Sequence, residues 1–221
     1  MARIRCLIFD CDGTLVDSEP LLADVLAQTL PEAGLPFTAS DYMNEFRGVV
    51  YAHIVAALEQ RHGAVDEALK KKTETRMRAR LMEGLKDNLQ IIAGIEAAME
   101  TLAPDYLCCV ASNGPLNKIR QSMEVSGLGR FFGEHLFSAY EVGHFKPDPG
   151  LFLHAARAMG ASPEECLVID DAPVGVSAAL AAGMQVAHIN HFPDEEQTPE
   201  RAYELLHMKD LPALVHTLNQ T

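Results

Sequence analysis

The chain has 221 residues, of which 48% are hydrophobic, ample for a packed core in one domain or two small ones and too apolar for a disordered protein. A formal charge of −13 excludes general affinity for nucleic acid or anionic membranes, so an anionic ligand must meet a local, focused positive site. Met1-Ala2-Arg3-Ile4-Arg5 enters a short strand-like run rather than a signal-peptide region, and no apolar stretch approaches the roughly 18 residues that a membrane span needs. A soluble cytoplasmic protein is expected. The five cysteines (Cys6, Cys11, Cys108, Cys109 and Cys166) lack zinc-site spacing, and four lie inside apolar runs, so they read as reduced core residues.

The first element is the apolar run Ile4 to Phe9, broken only by Arg5, a buried strand that delivers Asp10-Cys11-Asp12-Gly13-Thr14. Residues two apart on an extended chain point the same way, so Asp10 and Asp12 stand close together, and both being ionised is costly unless a cation is present. An Asp pair before Gly-Thr is also how ordinary turns begin. Cys11, between them, should face away.

Residues 18 to 86 carry only helical spacing: Leu21, Val25 and Leu26, then Ile54, Val55 and Leu58, then a charged stretch from Asp66 to Arg80. This predicts an all-helical domain, residues 18–87, inserted into an α/β core formed by residues 1–17 and 88–221. Within it, Arg47 in Phe46-Arg47-Gly48 is a candidate for a second anionic or hydroxyl-bearing group on a ligand, or a surface ion-pair partner for Glu45. Lys70-Lys71-Lys72 with Arg76, Arg78 and Arg80 reads as a solvated helix face balanced by Glu67, Glu74 and Glu83.

Four further runs read as strands, Leu107–Ala111, Leu136–Phe137, Cys166–Ile169 and Val186–Ile189, with helical patterns between them. Ile95, Met99 and Leu102 share one helix face, Leu151, Phe152, Ala155 and Met159 another, and Val174, Ala178 and Ala181 a third before Gly183. Strand then helix, repeated, predicts a doubly wound, Rossmann-like parallel sheet. Pro193 to Pro199 is a polar surface loop.

Three strand ends carry chemistry of the same kind as the first. Ser112-Asn113-Gly114 follows the second strand at a helix start, where a hydroxyl and backbone amides suit a phosphate, though the same tripeptide is common turn chemistry. Lys146-Pro147-Asp148-Pro149 sets a cation before the next helix. Asp170-Asp171 closes the fourth strand, where adjacent acids also cap helices. Parallel strands put all four ends on one sheet edge. The combination predicts a carboxylate-lined Mg²⁺ site, because Mg²⁺ takes a few carboxylates together with waters and substrate phosphate oxygens.

On these residues, Asp10-x-Asp12-Gly13-Thr14, Ser112-Asn113, Lys146-Pro147-Asp148 and Asp170-Asp171, the sequence resembles the haloacid dehalogenase-like phosphatases, over essentially the whole chain including the helical cap inserted after the first motif. The branch it resembles most holds β-phosphoglucomutases and small sugar-phosphate phosphatases such as 6-phosphogluconate phosphatase. The resemblance implies Asp10 as a nucleophile forming an aspartyl phosphate and Asp12 as general acid and then base. It further implies Mg²⁺ on the Asp10 carboxylate, the Asp12 backbone carbonyl and Asp171, with Asp170 nearby or through water. Ser112 and Lys146 would bind the phosphoryl group, supported by Asn113 and Thr14. A glutamate is familiar at position 170 in this family, so Asp170 is a shorter variant. The expected substrate is a small phosphorylated sugar or sugar acid, with no nucleic-acid or membrane partner and a monomeric protein. A phosphomutase is the alternative within the fold, and a catalytically silent binding protein a more distant one. A dehalogenase is disfavoured because displacement of halide needs neither Asp12 nor a metal site.

Overall fold

The computed structural model describes residues 2–220. The chain divides into two compact units, Met1–Asp17 with Gln90–Thr221, and Ser18–Leu89. The first is built on eight strands: β1 (Cys6–Phe9), β2 (Val16–Asp17), β3 (Gln90–Ile91), β4 (Leu107–Ser112), β5 (Leu136–Ser138), β6 (Cys166–Asp170), β7 (Gln185–Ile189) and β8 (Tyr203–Leu205). Six form one parallel sheet in the order β5-β4-β1-β6-β7-β8, while β2 and β3 make a short antiparallel pair.

The central strands are apolar on both faces because both faces are covered. Cys6 and Ile8 of β1 join Cys109, Val168 and Val186 in a core closed by Leu151, Phe152 and Val176 from the helices Gly150–Ala158 and Pro173–Ala181. Phe9, one residue on, meets Phe132 edge-to-face at 5.7 Å. The alternation of a strand thus distributes β1 between two layers. All five cysteines are buried free thiols, and burial pushes the Cys108 thiol up to about 12, which leaves it protonated and inert.

The doubly wound α/β fold therefore matches the sequence expectation, with differences at its margins. Strand β8 was not anticipated: Tyr203-Glu204-Leu205 is only three residues long and pairs with β7 at the sheet edge. The Val174, Ala178, Ala181 face is rotated. The helix Pro173–Ala181 buries Gly175, Val176, Ala178 and Ala179, while Ala181 is exposed. The helix turns its glycine inward, against the Asp170 carboxylate.

The second unit contains the helices Glu19–Thr29, Tyr51–His62 and Glu67–Asn88 and shorter turns, with no strand among its described residues. Leu26, Leu30, Leu35, Tyr42, Ile54, Leu58, Leu81 and Leu85 give it a core of its own. Its long charged helix is laced as its spacing suggests, with Lys70 paired to Glu67, Arg78 to Glu74 and Lys86 to Glu83. Among the described residues no helix is long and apolar enough to cross a membrane.

Candidate active site

The sheet register sets the site. Phe9 pairs with Val110 of β4 and Ile169 of β6, so the next row along the same edge holds Asp10, Ala111 and Asp170, with Ser112 and Asp171 one residue further. This is the carboxyl end of the strands around which the order reverses, where open α/β sheets bind ligands. The Asp10 amide still donates to the Ile169 carbonyl at 2.9 Å. The chain then folds back on itself, Gly13 donating to Val16 and Leu15 to Cys11. Gly13 takes φ +76°, and a β-carbon there would fall on the Asp171 carboxylate. Only glycine meets both demands.

Asp10, Asp170 and Asp171 are buried, and their carboxylate oxygens lie within 4.8 Å of one another. Lys146 reaches into this group, its Nζ 2.7 Å from both Asp10 Oδ1 and Asp170 Oδ2 and 4.8 Å from the Phe152 ring centre. Burial pushes the Asp10 carboxyl from 3.8 up to about 7; Lys146 pulls it down, and Asp170 and Asp12 add to the rise. For Lys146 burial acts in the opposite direction, but the two carboxylates outweigh it and hold the ammonium above its ordinary value. Asp10, Asp170 and Asp171 with the Lys146 ammonium leave two formal negative charges in a buried site. Oxygen donors with that charge fit a divalent cation.

The remaining motif residues hold this arrangement. The Thr14 hydroxyl donates to Asp171 Oδ1 at 2.9 Å, while Ser112 Oγ accepts from the Gly114 amide at 3.0 Å. Asn113 clamps the backbone of Lys146, accepting from its amide at 2.8 Å and donating to its carbonyl at 3.3 Å. The lysine therefore enters the site from a backbone tied to the Ser112 strand end. Arg47 lies in the helical unit, directly after the turn Tyr42–Phe46. Glu45 pairs with Arg61 at 2.6 Å.

Three neighbours of the site escaped the sequence. Lys118, buried on the helix Leu116–Ser126, forms an ion pair with the half-buried Asp12. His191 Nε2 donates to the Gly13 carbonyl at 2.7 Å, and His188 Nε2 to the Asp171 carbonyl at 3.2 Å, since a carbonyl only accepts. A signal for Lys118 existed: it and Ser122 are polar residues four apart on the face that carries Ile119 and Met123.

Gly175 shapes the site from behind. Asp170 Oδ1 accepts from the Ala172 amide at 3.0 Å, which draws this short side chain back over the helix start, and a β-carbon on Gly175 would fall on its carboxylate. Gly175→Ala is expected to displace Asp170 from Lys146, weaken binding of a divalent cation and cost about 1–3 kcal/mol of stability. A Mg²⁺ titration followed by thermal melting checks this, and parent-like values in both would remove the glycine from the account.

The model of the family described as haloacid dehalogenase-like hydrolase matches residues 4–183. The 6-phosphogluconate phosphatase of Escherichia coli (strain K12) is 32% identical over 215 residues, 97% of this chain and 96% of that protein. Two crystal structures share the fold along nearly their whole length. A haloacid dehalogenase-like protein from Agrobacterium tumefaciens str. C58 has a TM-score of 0.76 at 29% identity, covering 97% of this chain and 99% of that one. A HAD family hydrolase from Deinococcus radiodurans R1, solved with bound phosphate and sodium, has 0.72 at 28%, covering 99% and 97%. With its carboxylates, serine and lysine gathered at one edge of the same sheet, the chain belongs to the haloacid dehalogenase-like hydrolases.

Proposed function

We propose that this phosphatase hydrolyses a small phosphorylated sugar or sugar acid, such as 6-phosphogluconate, with Mg²⁺ and through a phosphate ester on Asp10. The observation that carries this is the buried group of Asp10, Asp170 and Asp171 with the Lys146 ammonium among them. Phosphoryl transfer brings an anionic nucleophile against an anionic substrate, and the site supplies what that repulsion requires. The identity to the 6-phosphogluconate phosphatase and the phosphate bound in the Deinococcus relative support the same substrate chemistry.

Asp10, Asp170 and Asp171, with the Asp12 carbonyl, would hold the metal, which when bound offsets charge on the carboxylates and phosphate oxygens as a Lewis acid. An Asp10 oxygen attacks phosphorus, and the bond to the leaving oxygen breaks with its electron pair. Asp12 gives that oxygen a proton, and the alcohol departs. Ser112 and Lys146 hold the phosphoryl oxygens while Asn113 keeps Lys146 in place. Asp12, now a carboxylate, takes a proton from water as the water attacks phosphorus. The bond to Asp10 then breaks, and inorganic phosphate leaves with Asp10 restored. Asp12 again holds the proton it began with. Ester and water have become alcohol and phosphate.

The test is phosphate release from a panel of phosphorylated sugars and sugar acids that includes 6-phosphogluconate. Release is expected in Mg²⁺, is lost on adding EDTA and returns with excess Mg²⁺. No release across the panel sinks the proposal, and conversion of a hexose 1-phosphate to its isomer without free phosphate replaces it with a mutase.

A further inference from the structure

We propose that Lys118 is a positioning residue of the reaction, holding one oxygen of Asp12 so that the other is presented for proton transfer. The inference rests on the acid and base role of Asp12 given above. Lysine is seldom fully buried, and its charge is tolerated inside only against a partner. The Lys118 side chain is 6% exposed and that of Asp12 15%. The pair joins residues 106 apart in sequence. It is distinct from the Lys146 cluster: one lysine serves Asp10 and Asp170, the other Asp12.

Asp12 Oδ1 accepts from the Lys118 ammonium. Oδ2 lies on the side of Gly114, where a β-carbon would stand 3.7 Å from it, 3.6 Å from Lys118 Cδ and 3.4 Å from Ser112 Oγ. The phosphate-binding serine, the lysine stem and the second carboxylate oxygen thus surround one α-carbon. An aspartic acid protonated on Oδ2 still accepts on Oδ1, so the contact with Lys118 persists through both halves of the reaction. Oδ2 gives its proton to the leaving oxygen and later receives one from the attacking water. Without Lys118 the carboxylate loses the ammonium that fixes Oδ1, and the placement on which proton transfer depends is loosened. The helix that carries Lys118 begins four residues after Ser112, so the phosphate grip and the acid–base are set by one segment.

The experiment compares Lys118→Met and Lys118→Arg with the parent in Mg²⁺. Two esters are used: 4-nitrophenyl phosphate, whose leaving group needs no proton, and the alkyl monoester that the parent hydrolyses fastest. For Lys118→Met, kcat on the alkyl ester should fall about 10²-fold with KM changed less than about threefold. The first-turnover burst of nitrophenolate should stay within a few-fold of the parent, because the attack by Asp10 does not use Asp12. Lys118→Arg should recover about tenfold of the loss, since it restores a cation to Asp12. Equal loss in burst and alkyl turnover, a rise in KM alone, or parent-like kcat overturns the proposal. Should the methionine variant fail to fold, Lys118→Gln is read by the same criteria. Asp12→Asn separates the premises: if it spares alkyl turnover, the role of Asp12 has failed, whereas an impaired Asp12→Asn beside an unimpaired Lys118→Met removes only the assignment of Lys118.

Discussion

Asp10→Asn is expected to lower turnover by at least about 10⁴-fold, because a neutral amide does not supply the anion that attacks phosphorus. The shape of the site should survive. Asparagine still offers Lys146 an oxygen in place of Oδ1, and Lys146 keeps its second carboxylate, Asp170. The same variant has a signature in stability. In the metal-free protein the Asp10 carboxyl rises from 3.8 to about 7 on folding. The folded chain therefore holds that proton over a pH range in which the unfolded chain has lost it. The share of stability due to Asp10 is complete below the unfolded value and disappears as pH rises through about 7. Asparagine has no such step, so melting of the metal-free variant should fall less between pH 5 and pH 8 than melting of the parent. Phosphate release checks the first effect and paired melts the second. Turnover within tenfold of the parent would show that another group attacks phosphorus.

Lys146→Met should give the largest loss of stability. The lysine side chain is 3% exposed and stands between Asp10 at 10% and Asp170 at 1%. Removing one partner of a buried ion pair costs about 3–5 kcal/mol, since the charge left behind keeps its desolvation without its compensation. Here two carboxylates are left facing each other. Methionine keeps an unbranched side chain of similar length and removes the ammonium, with its contact over the Phe152 ring, so the loss reports on charge more than on volume. Saturating Mg²⁺ should return part of that stability, because the cation and the lysine neutralise the same carboxylates. Catalysis should drop by about 10²–10³-fold even with the metal present, through the loss of a fixed positive group at the transferring phosphoryl. Denaturation with and without Mg²⁺ measures the first effect and phosphate release the second. An undiminished denaturation midpoint without metal would mean that the carboxylates do not depend on Lys146.

What the sequence disclosed and what it withheld follow one physical division. Apolar runs long enough to cross the sheet were legible, as were the carboxylates, serine and lysine at their ends, because strand burial and strand-end chemistry are local properties. Strand β8 and the pair of β2 with β3 have two or three residues each, and they owe their form to partners on distant segments. Lys118 had a visible helical position but no visible partner, since Asp12 lies 106 residues earlier. His188 and His191 act through backbone carbonyls, which leave no trace in residue type. Asn113 carried a readable motif, while its side-chain bonds to the Lys146 backbone join segments 33 residues apart. The inward turn of Gly175 follows from the shortness of Asp170, a pairing that no local pattern displays.

The antiparallel pair of β2 and β3 has a consequence for how such an enzyme diversifies. Val16 pairs with Ile91 and Asp17 with Gln90, so the two points at which the chain leaves and rejoins the core are adjacent. Everything from Ser18 to Leu89 hangs on that clasp as a single cassette with its own core. No strand of the six-stranded sheet and no member of the Asp10–Lys146–Asp170 group lies within it. A change of length or packing confined to the cassette is therefore expected to leave the strand order and that group in place.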